Sequence, residues 1–331
     1  MPLFIVLTMF NAFSGEREQG TLRTVLSLGV RPSTLAAGKA LGAAMALGLV
    51  ALPAAGLAVV ALCLTSGFGE WTADLGRALA LALAFLVYFF IFAAVSLGVS
   101  ARAASSRLAL TGLLAFWFVS GLIAPRAASD LGAALHPVPT PVEFQRAMQA
   151  ELDDRVEMER RLDRRRQELM RQYHATSMSD VPINFRGVSL QEGEEHGNEV
   201  FDRHYGSLYD TYARQDAAGR LLGVIAPSVP MRLFSMAMAG TDVAHHRAFA
   251  DAAERYRREI QRLLNGEVAA HTAADFEGGA DLWARVPPFD YEMPPLASVV
   301  SQHVIDLALL GAWLLASTWF AIRGAARLRA D

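Results

Sequence analysis

The sequence predicts an all-α protein: a polytopic bundle of membrane helices that carries a mostly helical domain outside the membrane. The 331-residue chain is 53% hydrophobic and only 19% charged, whereas soluble domains are usually about a quarter charged. Its apolar residues are also concentrated, because 40–69, 78–101 and 108–125 contain no charged residue. These two observations exclude a single soluble globule, a disordered chain and a fibrous protein.

The uncharged segments are long enough to cross a bilayer, whose hydrocarbon core of about 30 Å requires about 20 helical residues. Full spans are predicted at about 40–66, 77–100 and 107–125, and a last one near the C-terminus. The apolar start is too short to cross and is interpreted as the second half of a span, so we expect a fragment or a late start site. The predicted organisation is a partial span (1–13), a loop (14–39), three spans (40–128), an insert (129–296), a last span (297–323) and a tail (324–331).

The distribution of charge predicts the orientation of these segments. The loop 14–39, the link 101–107 and the C-terminal end from Arg323 onward together hold nine basic and three acidic residues, whereas 126–296 holds 20 basic and 27 acidic ones. Basic residues favour the cytoplasmic side. We therefore expect the loop, the link and the tail in the cytoplasm, and the insert outside a cell (inner) membrane.

The insert is too long for a connecting loop and is predicted to be an extracytoplasmic helical domain. Thr140-Pro141-Val142-Glu143 has the pattern of a capping box with proline at the first helical position, and this helix is expected to continue to about Tyr173. A polar stretch, 184–198, precedes a second helix near 199–218. The third is expected from Asp242 to Leu264, capped by Thr241, ended by Asn265-Gly266, and buried along Phe249, Ala253, Tyr256, Ile260 and Leu263.

The sequence predicts no catalytic residue, no metal site and no cofactor site, so we expect a protein that is not an enzyme. His196, Glu199 and His204 lack the spacing of a zinc-binding helix, and the adjacent His245 and His246 are interpreted, like them, as surface histidines. The single cysteine, Cys63, excludes a disulfide framework within the chain.

Two further patterns are set aside. Gly38-Lys39 resembles the end of a phosphate-binding loop, but Ser33 stands where that loop needs glycine, and Ala40 stands where it needs serine or threonine. The arginine-rich run 160–166 is interleaved with acidic residues, so it is interpreted as a solvated helix face, and no nucleic-acid partner is predicted.

His303 and Asp306 are ionisable residues in the first half of the last predicted span. Such residues are costly in the membrane and often mark a pathway. A second interpretation is that both lie near the outer boundary and are solvated at the level of the lipid headgroups. The sequence leaves both interpretations open.

The most informative segment is the loop from Ser14 to Lys39. It contains Glu16-Arg17-Glu18, then Gly20-Thr21-Leu22, then a leucine-rich turn, Pro32-Ser33 and Gly38-Lys39. A short amphipathic helix with charged ends is suited to binding a partner, although it could equally anchor a loop at the membrane surface.

This pattern resembles the cytoplasmic loop of ABC-2-type permeases, the membrane subunits of ATP-binding-cassette exporters. The resemblance implies a coupling helix that docks on a separate ATPase subunit, with Glu16, Arg17, Glu18, Gly20, Thr21 and Leu22 as the contact residues. It also implies six spans and, in one subgroup, a large extracytoplasmic insert before the last span. We therefore expect the first span of that arrangement and the beginning of the second to lie upstream of this sequence.

The predicted function is that of a permease subunit, which couples ATP hydrolysis on another subunit to the transport of an unidentified substrate. The resemblance implies a cytoplasmic ATPase that carries the ATP, a second permease in a homodimer or heterodimer, the lipid bilayer, and a partner for the insert. The main alternative is a membrane-anchored scaffold or sensor that transports nothing. A more distant one is an intramembrane enzyme that uses His303 and Asp306.

Overall fold

The computed structural model describes residues 1–65, 67–273 and 276–328, and every regular element in them is helical. The tail residues 329–331 and Ser66, the last residue of the first full predicted span, lie outside the described residues. The fifteen α-helices of the described residues are α1 Pro2–Met9, α2 Ser14–Glu18, α3 Thr21–Ser27, α4 Pro32–Thr65, α5 Gly67–Arg102, α6 Ser106–Phe118, α7 Ala124–Leu135, α8 Pro141–Leu152, α9 Arg155–Gln172, α10 Phe185–Arg220, α11 Ser228–Met238, α12 Val243–Ala270, α13 Ala280–Trp283, α14 Leu296–Gln302 and α15 Val304–Ala325.

The predicted all-α membrane fold is confirmed. The described residues contain four helical segments that are long and apolar enough to cross a membrane: Pro32–Ala61, Asp74–Arg102, Ser106–Leu135 and Val304–Ala325. The third of these joins α6 to α7 through a five-residue π-helix, Val119–Ile123. The first extends eight residues ahead of the predicted span, since its helix begins at Pro32, whose fixed φ angle suits the first position of a helix.

The chain divides into two compact units, and the first consists of residues 1–135, 215–242 and 294–331. Its apolar core surrounds α5, which packs against α1, α4, α11 and α15. Ile91 and Phe92 of α5 are fully or almost fully buried, as are Ile5 and Val6 of α1. The N-terminal apolar stretch is therefore an integral part of this bundle.

Helix α11 is an element that the sequence analysis did not predict. The predicted insert included these residues, but the structure groups 215–242 with the membrane-capable helices. Val229, Pro230, Met231 and Phe234 of this helix are buried in that unit. The run 221–231 at its start contains no charged residue, but Pro227 and Pro230 interrupt the helical pattern there, so the sequence did not reveal the helix.

The second unit consists of residues 136–214 and 243–293. Its first helix confirms the predicted capping box, since Thr140 Oγ1 accepts the N–H of Glu143 and the Glu143 side chain accepts the N–H of Thr140. The expectation of one continuous helix to Tyr173 was wrong. The chain breaks after Leu152, and Asp154 caps a new helix, α9, by accepting the N–H of Glu157 at 3.1 Å.

The other two predicted helices of the insert are longer than expected. Helix α10 begins at Phe185, within the stretch predicted to be irregular, and α12 continues through Asn265-Gly266 to Ala270. Tertiary contacts explain both differences. Asn265 Nδ2 donates to Gln191 Oε1 at 3.2 Å, and Gly187 allows the backbone of Ala269 to approach closely. These residues join two helices and do not end them.

The predicted buried stripe of α12 is only partly buried. Phe249 is 47% exposed and packs edge-on against Tyr291, with ring centroids 5.1 Å apart. Charged pairs supply much of the remaining contact with α10, including Arg258 with Asp202. The unit is thus held together by ion pairs as well as by apolar contacts.

Candidate functional site

The segment that resembles a coupling loop folds as two short helices, α2 and α3, joined through Gln19 and Gly20. Gly20 has a φ angle of +76°, a left-handed conformation that glycine adopts without steric cost. A Cβ atom at this position would meet nothing within 4 Å, so the backbone conformation and not space favours glycine. On the far side of this turn, Leu22 is 3% exposed and lies in the apolar core.

Arg17 binds the carboxyl end of α5. Its Nη1 donates to the carbonyl of Ala103 at 2.6 Å, and its Nη2 donates to the carbonyl of Ala101 at 2.9 Å. The last carbonyls of a helix have no partner within the helix and carry partial negative charge. The guanidinium therefore satisfies these acceptors and complements the helix dipole.

Glu18 binds the amino end of the next helix, α6. Its carboxylate accepts the N–H of Ser106 at 2.8 Å and the hydroxyl of Ser106 at 2.7 Å. A carboxylate is favourable at this end, where unpaired N–H groups carry partial positive charge. Because both bonds favour the charged form, they lower the pKa of Glu18 from its ordinary value.

We call these contacts of Arg17 and Glu18 the helix-end clamp. It is reinforced by Ser100, whose hydroxyl accepts the N–H groups of Phe13 at 2.9 Å and of Ser14 at 3.2 Å. The clamp and this serine fix the α2 segment to the turn between α5 and α6.

Glu16 joins the same segment to the beginning of α4. Its Oε1 lies 2.6 Å from Nζ of Lys39, and that ammonium also lies 5.4 Å from the centre of the Phe13 ring. Lys39 is the last residue of the predicted loop motif, so the structure connects the two ends of the motif. The segment is thereby attached to three long helices, α4, α5 and α6.

The residues predicted to contact the ATPase differ in how far they are exposed to solvent. Arg17, Glu18, Gly20 and Thr21 are exposed, Glu16 is half-buried, and Leu22 is buried. Their contact with an ATPase subunit stays a prediction.

Leu28, an apolar residue of the leucine-rich turn that was not among the predicted contact residues, follows α3 and is 77% exposed. Ser100 and Ser106 could not be predicted from the sequence, because no local pattern marks a serine that binds a residue more than 80 positions away.

The second predicted site, His303 and Asp306, lies at the beginning of α15. Asp306 is fully buried. Its Oδ1 accepts Nε of Arg220 at 2.9 Å, and its Oδ2 lies 2.8 Å from Nδ1 of His303. His303 Nε2 lies 3.8 Å from Oδ2 of Asp242. The structure therefore brings the two predicted residues together and adds two partners, Arg220 and Asp242, from the segment 215–242.

This geometry corrects one of the two interpretations of Asp306. Solvation at the headgroup level is wrong, since the carboxylate has no exposed surface and is paired within the protein. A buried charge is tolerated when it is paired and hydrogen-bonded. The arrangement ties α15 to the end of α10, while a role in a transport pathway stays a prediction.

The histidines of the insert also differ from expectation. His196 and His245 are 8% and 4% exposed, so the interpretation as surface histidines was wrong for both. A ring nitrogen of His196 lies 3.0 Å from the carbonyl oxygen of Glu151, whose carboxylate binds His204 at the same distance. Within the described ranges, no group of three or more His, Cys, Asp or Glu residues is arranged to hold a metal ion.

Comparison with protein families gives two matches. Residues 1–180 match the family described as "ABC-2 family transporter protein", which covers more than half of the chain and includes the helix-end clamp. Residues 142–292 match the family described as "Domain of unknown function (DUF3526)". No curated protein and no solved structure matches the chain.

The contact between Glu18 and Ser106 should be lost at low pH. The pKa of Glu18 is lowered in the folded protein. The contribution of its carboxylate to the stability of the fold is therefore fully present above the ordinary pKa of 4.5, and it is lost as the pH falls through the lowered pKa. A nitroxide at Gln19→Cys, in a Cys63→Ala background, should stay immobile from pH 7 to 4.5 and become mobile below that. In Glu18→Ala the label should be mobile throughout. A transition beginning above pH 5 would contradict the contact.

From the ion pair between Asp306 and Arg220 we predict that substitutions of the two residues reduce stability non-additively. Asp306→Ala leaves Arg220 without its carboxylate, and we expect a loss of about 2–3 kcal/mol in the free energy of unfolding, since Arg220 is partly exposed. The double variant Arg220→Ala/Asp306→Ala should be more stable than the sum of the two single losses predicts. Denaturation of the detergent-solubilised protein measures both. Strictly additive losses would show that the two residues are not coupled.

Proposed function

The chain belongs to the ABC-2 family of transporter proteins, and we propose that it is a permease subunit of an ATP-driven exporter. The helix-end clamp is the observation that carries this proposal. It attaches a short helical segment with an exposed apolar end, Leu28, to the ends of membrane-capable helices. A segment attached in this way can receive a partner's movement and pass it to the spans.

We propose that the partner is a separate cytoplasmic ATPase, which binds and hydrolyses the ATP. The phosphate-binding pattern is incomplete here, because Ser33 and Ala40 occupy two of its required positions. In this proposal the chain uses no cofactor of its own. The ATPase contacts the face formed by Gly20, Thr21 and Leu28, while Arg17 and Glu18 hold that face in place.

The three attachments of the segment suggest how movement is transmitted. Arg17 holds the end of α5, Glu18 holds the beginning of α6, and Glu16 holds α4 through Lys39. A displacement of α2 and α3 therefore acts on three helices together. Coupling requires two arrangements of the spans whose balance is biased both by the ATPase and by the substrate.

We further propose the orientation and the assembly. The basic loop, link and tail face the cytoplasm, and the acidic insert faces the outside of the cell membrane, where it handles the substrate or a partner protein. A second permease supplies the other half of the pathway. A scaffold without transport is not favoured, because the family match covers the loop and the three spans that follow it.

Docking on Leu28 predicts a specific loss of ATPase binding. Burial of a leucine side chain contributes about 1.5–3 kcal/mol, so Leu28→Glu should weaken the binding of the ATPase by about tenfold or more. The measurement is co-purification from mild detergent, followed by assay of ATPase stimulation by the purified permease. Identification of the co-purified protein as an ATPase tests the function itself.

The matched control for this variant is Val142→Glu. Val142 is an apolar residue of the insert with 63% exposure, and the same substitution there should leave ATPase binding unchanged. Equal binding of the ATPase by the wild type and by Leu28→Glu would show that the ATPase docks on another part of the chain. Absence of any ATPase from the wild-type complex, even after crosslinking, would argue against an exporter.

The orientation predicts which introduced cysteines an impermeant thiol reagent can reach. Val156→Cys lies on α9 of the insert, at a position 57% exposed, and should be labelled in intact cells. Gln19→Cys lies in the exposed loop segment and should be labelled only after lysis. The reverse result would overturn the proposed topology.

A further inference from the structure

A cavity of about 420 Å³ lies between the end of α1, helix α2 and the first half of α4. Thr8 and Asn11 line it from α1 and the turn that follows, Glu16 lines it from α2, and Lys39 and Ala46 line it from α4. Ligand sites in proteins have volumes of about 300–1,000 Å³. The cavity is therefore large enough for a small molecule or for part of a lipid.

This cavity extends from a charged region of the chain into an uncharged one. Glu16 is the first charged residue after the N-terminal apolar stretch, and Lys39 is the last one before the uncharged run 40–69. Ala46 lies seven residues past Lys39 and is therefore about 10 Å farther along α4. One end of the cavity thus lies at the polar boundary of the spans, and the other end lies at the depth of the acyl chains.

The charged end of the cavity has an unused acceptor. Nζ of Lys39 lies 2.6 Å from Oε1 of Glu16, so the ion pair occupies one of the two carboxylate oxygens. The other oxygen, Oε2, is shielded from water and has no hydrogen-bond partner among the residues that the structure describes. A shielded polar atom without a partner is costly. Oε2 therefore indicates a donor that comes from outside the chain.

The same end of the cavity also offers donors to an anion. The ammonium of Lys39 carries three N–H groups, and the side-chain amides of Asn11 and Gln19, which also line the cavity, carry two each. An ammonium is a common ligand of phosphate. The charged end therefore combines one group that suits an amine with several that suit a phosphate.

The remaining walls are apolar and mostly small. Met9 of α1 is only 3% exposed and lines the cavity with Ala12, Ala43 and Ala46. The side chains of these four residues carry no strong hydrogen-bonding group, so this part of the cavity suits hydrocarbon. A ligand that matches both ends has a polar head with an amine and a phosphate, and an apolar tail.

We propose that the cavity binds a phospholipid whose headgroup carries a primary amine, namely phosphatidylethanolamine. The amine donates to Oε2 of Glu16, the phosphate accepts from Lys39, and an acyl chain lies along Met9 and Ala46. The lipid comes from the leaflet on the side of the loop 14–39. This proposal concerns lipid binding and depends neither on the ATPase nor on export.

The charges of the site select among common headgroups. The pair of Glu16 and Lys39 has no net charge, and neither has phosphatidylethanolamine. Phosphatidylcholine has the same net charge, but its quaternary ammonium has no N–H group and cannot donate to Oε2. Because a hydrogen bond to a charged group contributes about 1.5–3 kcal/mol, the lipid with the primary amine should bind about tenfold more tightly or better.

The test is native mass spectrometry of the full-length protein in mild detergent, titrated with three probes. These are phosphatidylethanolamine, phosphatidylcholine with identical acyl chains, and phosphoethanolamine, which is the soluble headgroup alone. We expect the tightest binding for phosphatidylethanolamine. Equal binding of the two lipids would overturn the proposal. Phosphoethanolamine that binds as tightly as the lipid would also overturn it, because the ligand would then be a soluble molecule.

Two exposed alanines of α4 provide a matched pair of variants. Ala46 lines the cavity, whereas Ala44 is not among the lining residues. Ala46→Leu fills part of the cavity and should weaken the binding of phosphatidylethanolamine about tenfold, while Ala44→Leu should bind it as the wild type does. Equal binding of this lipid by both variants would contradict the site.

Glu16→Gln tests the role of the carboxylate. It removes the negative charge and should abolish most of the preference for phosphatidylethanolamine over phosphatidylcholine, since a hydrogen bond to a neutral acceptor is weaker. An unchanged preference would overturn the assignment of Oε2 as the amine's acceptor. If Glu16→Gln does not fold, because the ion pair with Lys39 is lost, the comparison of the two lipids on the wild type decides the same point.

Discussion

The bundle depends at one end on the match between two adjacent charges and two helix ends of opposite polarity. Arg17 meets the carbonyls that end α5, and Glu18 meets the amide that begins α6. The order of the two residues matters, because exchange of the charges would place each beside a helix end of the same sign. The short turn between α5 and α6 is fixed by this match, and so is the position of α2 and α3.

Charge pairing also organises the other end of the same unit, but there the groups are buried. Asp306 has no exposed surface and is held by Arg220 and His303. Removal of one partner would leave a charge without compensation in an apolar surrounding. Between the two ends the contacts are apolar, around Phe92 and Leu113. The polar contacts thus join particular helix ends, and the apolar core fills the space between them.

Two departures from the sequence-based expectations have different physical causes. Asn265-Gly266 is a common stop signal for a helix, yet α12 continues through it because Asn265 binds Gln191 on another helix. Pro227 and Pro230 interrupt the local helical pattern, yet Pro227 is the N-cap of α11 and Pro230 lies in its first turn, where proline is tolerated. The uncharged run 221–231 was the signal that could have revealed this element. A tertiary contact outweighed the local stop signal in α12, whereas the prolines of α11 follow the ordinary preference of proline for the start of a helix.

The sequence alone determined the helical class, the four membrane-capable helices, the capping box of α8 and the family motif. These are properties of short windows of residues, since hydropathy, helix caps and turn residues act over a few positions. The tertiary structure decided which distant groups meet. Glu18 binds Ser106 across 88 positions, and Arg220 binds Asp306 across 86. Such pairings depend on how whole helices pack, and no local window contains that information.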